Sequence, residues 1–132
     1  MVKKIRKQRS LCPLNCAVEF FGDKWSLLIV REIFFKGRRT FGQLLGMDEG
    51  ISTGTLTDRI TMLQKKGIIS RKSRKDDRRS VDYNLTLKGK DLEPVLVEMV
   101  LWVASHEMTD IPEDVVKNLR QTRIFDQSCK RR

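Results

Sequence analysis

The stretch that decides the fold is residues 40–85, TFGQLLGMDEGISTGTLTDRITMLQKKGIISRKSRKDDRRSVDYNL. It begins with Thr40 and Gln43, a pair in which each side chain satisfies a free backbone N–H at the start of a helix. The short apolar segment that follows predicts a helix. Residues 46–50 contain two glycines and predict the turn that ends it.

A second helix is predicted directly after this turn. Ser52 is a preferred N-cap residue, and Gly67 is placed to end the helix in a left-handed conformation. The i, i+4, i+7 spacing that predicts a buried face is formed by Leu56, Ile60 and Leu63.

Two strand-like segments, residues 68–73 and 81–85, follow on either side of a basic hairpin. Apolar and polar residues alternate in the second segment, as expected of a strand with one buried face. The order of helix, turn, helix and charged hairpin is typical of a winged helix-turn-helix, which lays one helix in a DNA groove beside a charged loop. We therefore predict a mainly α fold with a small β-hairpin.

The outward face of the second helix carries short, polar, mostly uncharged side chains or none, which let a helix N-terminus approach base edges and phosphates. The predicted DNA-reading residues are Ser52, Thr53, Gly54, Thr55, Thr57, Arg59 and Thr61. The alternative is that these residues form the solvent-facing polar side of an ordinary amphipathic helix. Arg59 fits a DNA contact or a surface ion pair equally well. Asp58 fits acceptance of a hydrogen bond from a cytosine amine, or orientation of Arg59 or a hairpin arginine.

The hairpin supplies the second predicted DNA contact. Arginines on a protruding loop can enter a narrow minor groove, where the potential is most negative. The residues predicted to make this contact are Arg74, Lys75, Arg78 and Arg79. The alternative is a solvated turn.

The bulk composition agrees with a polyanionic partner. The 132 residues have a formal net charge of +10, which favours nucleic acid or an acidic membrane surface. No apolar run approaches the roughly 20 residues that span a bilayer, and no secretory signal is evident. We expect a cytoplasmic, nucleoid-associated protein without a membrane partner, whose three cysteines are reduced.

Enzymatic activity is not expected. The chain has one histidine and lacks a phosphate-cradling glycine loop, paired carboxylates in a recognisable motif and a nucleophile with an adjacent base. Its cysteines and histidine do not match a zinc spacing. We predict no catalytic residue, no metal and no cofactor.

The flanking segments complete the predicted organisation. A basic arm (1–10), either a solvated tail or a phosphate contact, precedes a winged-helix domain (11–110), and a short helix with a basic tail (111–132) ends the chain. Outside the central stretch, the predicted helices are 15–21, 24–36 with Asp23 as N-cap, 87–107 with a bend at Pro94, and 113–121.

Several segments resemble the HxlR-type regulators, a branch of the MarR-like winged-helix transcription factors. The resemblance covers roughly residues 11–107 and is specific as a combination. Its segments are Cys12-Pro13, 22–29 (GDKWSLLI), 39–44 (RTFGQL), Gly50-Ile51-Ser52, Leu56-Thr57 with Arg59, 66–69 (KGII) and 83–89 (YNLTLKG). The hairpin residues 77–80 instead look like the wing of the wider MarR group.

The resemblance implies a homodimer on a pseudo-palindromic operator, in which N- and C-terminal helices form the dimer. A two-fold dimer would hold its reading helices about 34 Å apart, one turn of DNA. The predicted interface residues are Leu92, Leu96, Met99, Trp102 and Val103. The alternative is that this stripe packs inside its own subunit.

Cys12 precedes a predicted helix and follows several cations, and both features lower a thiol pKa. Some HxlR-type proteins sense quinones, aldehydes or oxidants with a cysteine at this point, often through a disulfide between subunits. The resemblance therefore makes Cys12 a candidate redox sensor, the alternative being a small buried residue.

These observations predict a sequence-specific, double-stranded DNA-binding regulator, a repressor that acts as a homodimer and responds to an oxidant, electrophile or small-molecule effector. The alternative is a winged-helix module that binds protein and not DNA.

Overall fold

The computed structural model describes residues 9–76, 79–108 and 110–130, with residues 122–130 described by their backbone alone. Arg78, most of the predicted basic arm, the side chain of Cys129 and the last two residues lie outside this description. The helices are α1 (Pro13–Phe20), α2 (Ser26–Phe34), α3 (Phe41–Leu45), α4 (Thr53–Lys65), α5 (Leu87–Lys90), α6 (Glu93–His106) and α7 (Glu113–Lys130). The strands are β1 (Ile69–Ser73) and β2 (Val81–Leu85), between α4 and α5.

Helix α2 lies at the centre of the core. Ile29 and Val30 are fully buried. The helix begins at Ser26, because one carboxylate oxygen of Asp23 accepts the backbone N–H groups of Trp25 and Ser26 at 2.9 and 2.8 Å. The prediction of Asp23 as the N-cap of a helix that starts at residue 24 is therefore wrong by two positions. The N-cap residue is Trp25, and the carboxylate of Asp23 satisfies the first N–H groups from farther back in the chain.

Helices α3 and α4 form the predicted helix-turn-helix. The capping box is present, since the Gln43 N–H donates to Thr40 Oγ1 at 3.1 Å and the Thr40 N–H donates to Gln43 Oε1 at 3.2 Å. Ser52 caps α4 by accepting the Thr55 N–H at 3.2 Å. The predicted inward face of α4 is confirmed, and its buried residues are Leu56, Ile60 and Leu63.

The hairpin pairs β1 and β2 antiparallel, with Ile69 opposite Leu85 and Ser73 opposite Val81. Its base rests on α5 through a close backbone approach. A Cβ atom on Gly89 would lie 2.2 Å from the Ile68 carbonyl oxygen, so only glycine allows this contact. The wing is thereby joined tightly to the helices that follow it.

Two predictions about the C-terminal helices are wrong. The single helix 87–107 is two helices, α5 and α6, separated after Lys90. Pro94 lacks an N–H, so it occupies the first turn of α6 instead of bending a continuous helix. The last helix is also longer than the predicted 113–121 and runs from Glu113 to Lys130.

Candidate nucleic-acid interface

The outward face of α4 is open to solvent. Thr53, Gly54, Thr57 and Thr61 are exposed, while Thr55 is half-buried. The Thr57 hydroxyl donates to the Thr53 carbonyl at 2.9 Å, and the Thr61 hydroxyl donates to the Thr57 carbonyl at 2.8 Å. Each hydroxyl therefore uses its proton inside the helix, but its oxygen can still accept a hydrogen bond.

The N-terminal turn of α4 is shaped for close approach. Ser52 donates its hydroxyl proton to Thr55 Oγ1 at 2.8 Å, so these two predicted DNA-reading residues also hold the helix cap together. Apart from the neighbouring residues and the backbone of α4 itself, no atom of the described residues lies within 4 Å of where a Cβ of Gly54 would be. A DNA backbone or base edge could therefore approach the helix backbone there.

Arg59 is engaged within the chain. Its Nε donates to Asp58 Oδ2 at 3.1 Å, a second guanidinium nitrogen contacts the same carboxylate, and Nη1 lies 3.5 Å from Asp23 Oδ1. Only 20% of its side chain is exposed. The hydrogen bond with Asp58, and the charge of Asp23, raise the pKa of Arg59. Of the two roles predicted for Arg59, a DNA contact or a surface ion pair, the structure contains the ion pair.

The hairpin places positive charge next to α4. Arg71, Lys72, Lys75 and Arg79 are exposed. Arg74 differs, because its Nε and Nη2 each lie 3.0 Å from Asp82 Oδ1 on the opposite strand. Arg74 thus ties the start of the hairpin loop to β2, although 45% of its side chain is exposed.

Sequence reasoning missed a charged cluster behind the reading helix. The buried carboxylate of Glu32 lies 2.6 Å from Arg31, 3.3 Å from Lys36 and 3.4 Å from Arg38. Arg31 also donates both terminal nitrogens to Glu49, at 2.8 and 2.7 Å. This bidentate pair fastens α2 to the turn between α3 and α4. Its partners are 18 positions apart in the chain, so no local pattern signals it.

The predicted dimer stripe divides into two parts. Leu92 and Leu96 are buried in the core of their own chain, packed with the helix-turn-helix residues. Their assignment to the surface of an interface is therefore wrong, because an apolar stripe does not specify which neighbour covers it. Met99 and Trp102 are more than half exposed, and Val103 is half-buried.

Helix α1 has no buried residue and presents further uncovered apolar side chains. Leu14 (72%) and Val18 (51%) of this helix are exposed, and so is Leu11 (86%), just before its start. Exposed apolar side chains grouped on a helix favour an interaction site in soluble proteins. We use the name apolar flank for Leu11, Leu14 and Val18 of the α1 segment with Val95, Met99 and Trp102 of α6, large apolar side chains that the described part of the chain leaves exposed.

Cys12 is exposed at the N-cap of α1, so the alternative of a buried structural residue is wrong. The backbone amides of Asn15 and Leu14 lower the pKa of its thiol, as the helix start predicted. Arg9, one of the preceding cations, is paired with Glu19 at 3.0 Å. Cys16 is a second free thiol, half-buried one turn later.

Within residues 9–76, 79–108 and 110–130, no cluster of three or more histidine, cysteine, aspartate or glutamate side chains is placed to hold a metal ion. Among the helices in the described part of the chain, none has both the length and the apolar character that crossing a bilayer requires.

Known proteins share this arrangement. The family model described as HxlR-like helix-turn-helix matches residues 20–111. An uncharacterized HTH-type transcriptional regulator of Synechocystis sp. is 43% identical over 89 residues, which make up 67% of this chain and 65% of that protein. The matched segment therefore spans slightly less than two thirds of that relative.

Two solved structures carry the same fold. The reduced form of the transcriptional regulator YodB from B. subtilis has a TM-score of 0.62 at 26% identity, covering 77% of this chain and 100% of that one. The redox regulator HypR in its reduced form has a TM-score of 0.62 at 26% identity, covering 74% and 95%. With the family match over most of its length, this chain belongs to the HxlR-like helix-turn-helix family of transcriptional regulators.

Proposed function

We propose that this protein is a sequence-specific regulator, a repressor, that binds double-stranded DNA as a homodimer on a pseudo-palindromic operator. The observation that carries the proposal is the open threonine face of α4, with Thr53, Gly54, Thr57 and Thr61 exposed beside a basic hairpin. Short side chains on a reading helix suit base edges in the major groove, and hairpin cations suit the flanking phosphates.

The apolar flank supports the homodimer. A second copy would cover Leu14 of one helix and Trp102 of another, both of which water now contacts. A two-fold axis through this surface would place two copies of α4 on one face of the DNA, about 34 Å apart.

The test begins with selection of duplexes from a random-sequence library by the wild-type chain. Binding of the selected duplex is then measured by fluorescence anisotropy at increasing salt. We expect the logarithm of affinity to fall linearly with the logarithm of salt concentration, with a slope of about −5 or steeper for six or more neutralised phosphates. Failure to enrich or bind any duplex would favour the alternative, a winged-helix module that binds protein only.

We further propose that Cys12 makes DNA binding sensitive to oxidants or electrophiles. The supporting observations are its exposure and the Asn15 and Leu14 amides that favour its thiolate. YodB has a solved structure described as its reduced form, and HypR has both reduced and oxidized forms.

Cys12→Ser tests this sensor role, with Cys16→Ser as the matched control on the same helix. Wild type and the Cys16 variant should lose operator binding after treatment with a hydroperoxide or a quinone, whereas the Cys12 variant should keep it. Equal release of the Cys12 variant and wild type would contradict the role of Cys12.

A further inference from the structure

Two cations on α4 attach the reading helix to the end of α1. Arg59 and Lys66 are seven positions apart, which places them on one side of a helix two turns from each other. Arg59 contacts Asp23 at 3.5 Å, just beyond α1. Lys66 Nζ donates to the carbonyl oxygen of Phe20, the last residue of α1, at 2.6 Å.

The Lys66 attachment is reinforced from both sides. The ammonium lies 4.4 Å from the centroid of the Phe20 ring, and burial lowers the pKa of Lys66. Lys88 Nζ donates to the Lys66 carbonyl at 2.9 Å and lies 5.3 Å from the same ring. The C-terminal end of α4 therefore sits in a fixed position against α1 and α5.

Arg59 contacts Asp23, whose carboxylate has two roles. Asp23 Oδ2 accepts the first N–H groups of α2, while Oδ1 accepts the Ser26 hydroxyl at 2.6 Å and faces Arg59. Burial alone would raise the pKa of Asp23, but the hydrogen bonds from Ser26 and Trp25 outweigh it and lower the pKa. One ionised group thus joins the start of the core helix to the middle of the reading helix.

We infer that Arg59 is a positioning residue, which with Lys66 sets the angle of α4 on α1, and that it does not contact DNA. The fork of Arg59 is occupied on one edge by Asp58 and on the other by Asp23, and four fifths of the side chain is out of contact with water. A phosphate would have to displace two carboxylates to reach it. This inference rests on the proposed DNA-binding function and changes the role of one predicted reading residue.

The positioning role of Arg59 and the net charge of the protein predict opposite effects of Asp23→Asn on DNA affinity. Asp23→Asn removes a negative charge from a DNA-binding protein, so charge alone would tighten binding. Asparagine still accepts hydrogen bonds as a helix cap, so α2 keeps its start. If Asp23 positions α4 through Arg59, the selected duplex should instead bind about tenfold more weakly, the cost of one poorly fitted base contact.

The experiment measures the affinity of wild type, Asp23→Asn, Arg59→Gln and the control Lys65→Gln by fluorescence anisotropy across a salt series. Lys65 is an exposed cation of the same helix, so its variant matches the charge change of Arg59→Gln. The probes are the duplex selected by wild type and a scrambled duplex of equal length. Thermal unfolding is measured for each variant.

We expect Asp23→Asn and Arg59→Gln to bind the selected duplex more weakly than wild type does. Their affinity for the scrambled duplex should be no lower than that of Lys65→Gln, and their salt slope should equal that of this control. A slope shallower than that of the control by about 2 units, one phosphate contact per protomer, would overturn the inference. Tighter binding of the selected duplex by Asp23→Asn would also overturn it. Should Arg59→Gln not fold, the sign of the Asp23→Asn effect decides alone. Absence of wild-type binding would instead reject the proposed function.

Discussion

Helices α4 and α6 are nearly equal in length, 13 and 14 residues, yet they present opposite surfaces. The apolar side of α4 is covered by its own chain, and its outward side carries threonines and glycine. The inward side of α6 is also covered, through Leu96 and Leu101, but its outward side carries Val95, Met99 and Trp102. The outward face of α4 is polar and well suited to contact with water, whereas the outward face of α6 is apolar.

The difference agrees with a chain whose proposed reading helix is complete on its own, and whose exposed α6 face would be completed by a second copy in the proposed homodimer. Threonine side chains that face water do not destabilise the free protein. The outward face of α4 can therefore stay exposed when no DNA is bound. Exposed Trp102 and Leu14 are costly in water, so the proposed homodimer would lower the free energy of the flank by covering them. The proposed DNA contact is therefore polar and transient, whereas the proposed contact between two copies of the chain is apolar and permanent.

The largest expected effect comes from charging the apolar flank. Trp102→Glu would put a carboxylate into the proposed two-fold interface, where burying it unpaired is unfavourable. We expect light scattering to show a monomer where wild type is a dimer. Operator affinity should fall by about a hundredfold or more, because two linked half-site contacts become independent.

Phe35→Glu is the matched control for this change. Phe35 is also an exposed aromatic residue, at the end of α2 and outside the apolar flank. Its variant should keep the dimer mass. A dimeric Trp102 variant, or equal dissociation of both variants, would contradict the assignment of the flank to dimerisation.

A smaller effect should separate the reading helix from the wing. Thr57→Ala removes an outward methyl-and-hydroxyl group from α4 and should change preference among base pairs by about tenfold at one position per half-site. Arg78→Ala with Arg79→Ala should weaken every duplex alike and make the salt slope shallower by about 2 to 4 units. Affinity for a panel of single-base variants of the selected duplex gives both quantities. Indistinguishable profiles for the two variants would contradict this division.

The smallest expected effect concerns the ion pair behind α4. The hydrogen bond from Arg31 lowers the pKa of Glu49 from 4.5 to about 2. A folded-state pKa below the unfolded value means that the pair stabilises the fold above pH 4.5, and that this contribution disappears as the pH falls towards 2. Glu49→Gln should lower the melting temperature by about 3 °C at pH 7, a modest value because the carboxylate is partly exposed, and the deficit should vanish near pH 2.

Asp48→Asn, in the same turn, provides the comparison for Glu49. Its carboxylate is 86% exposed and lies 4.0 Å from Lys36, so its loss should leave the melting temperature unchanged at every pH. A deficit of the Glu49 variant that stays constant from pH 7 to pH 2 would show that the pair does not titrate as described.

The helix-turn-helix could be predicted because its signals are local. The Thr40–Gln43 capping box, the Ser52 cap and the spacing of Leu56, Ile60 and Leu63 each act over less than three turns. The lowered pKa of Cys12 was also a local property, since the amides that cause it belong to the next residues. Local chemistry thus predicted most of the fold and the exposed face of α4.

What the sequence did not reveal depends on contacts between distant residues. Lys66 and Phe20 are 46 positions apart, and no periodicity links them. The burial of Leu92 and Leu96 depends on which element packs against α6, which an apolar stripe alone does not specify. For Arg59, the sequence permitted two roles, and the inference that it positions α4 rests on its contact with Asp23, which lies far away in the sequence.

We propose that two copies of the open α4 face read DNA together. The most direct measurement is the spacing of protected half-sites on the selected duplex, determined by hydroxyl-radical footprinting at saturating protein. We predict two inverted half-sites with centres 10 to 10.5 base pairs apart, about one helical turn, on one face of the DNA. A single protected half-site, or half-sites on opposite faces of the duplex, would contradict joint reading by two copies of α4.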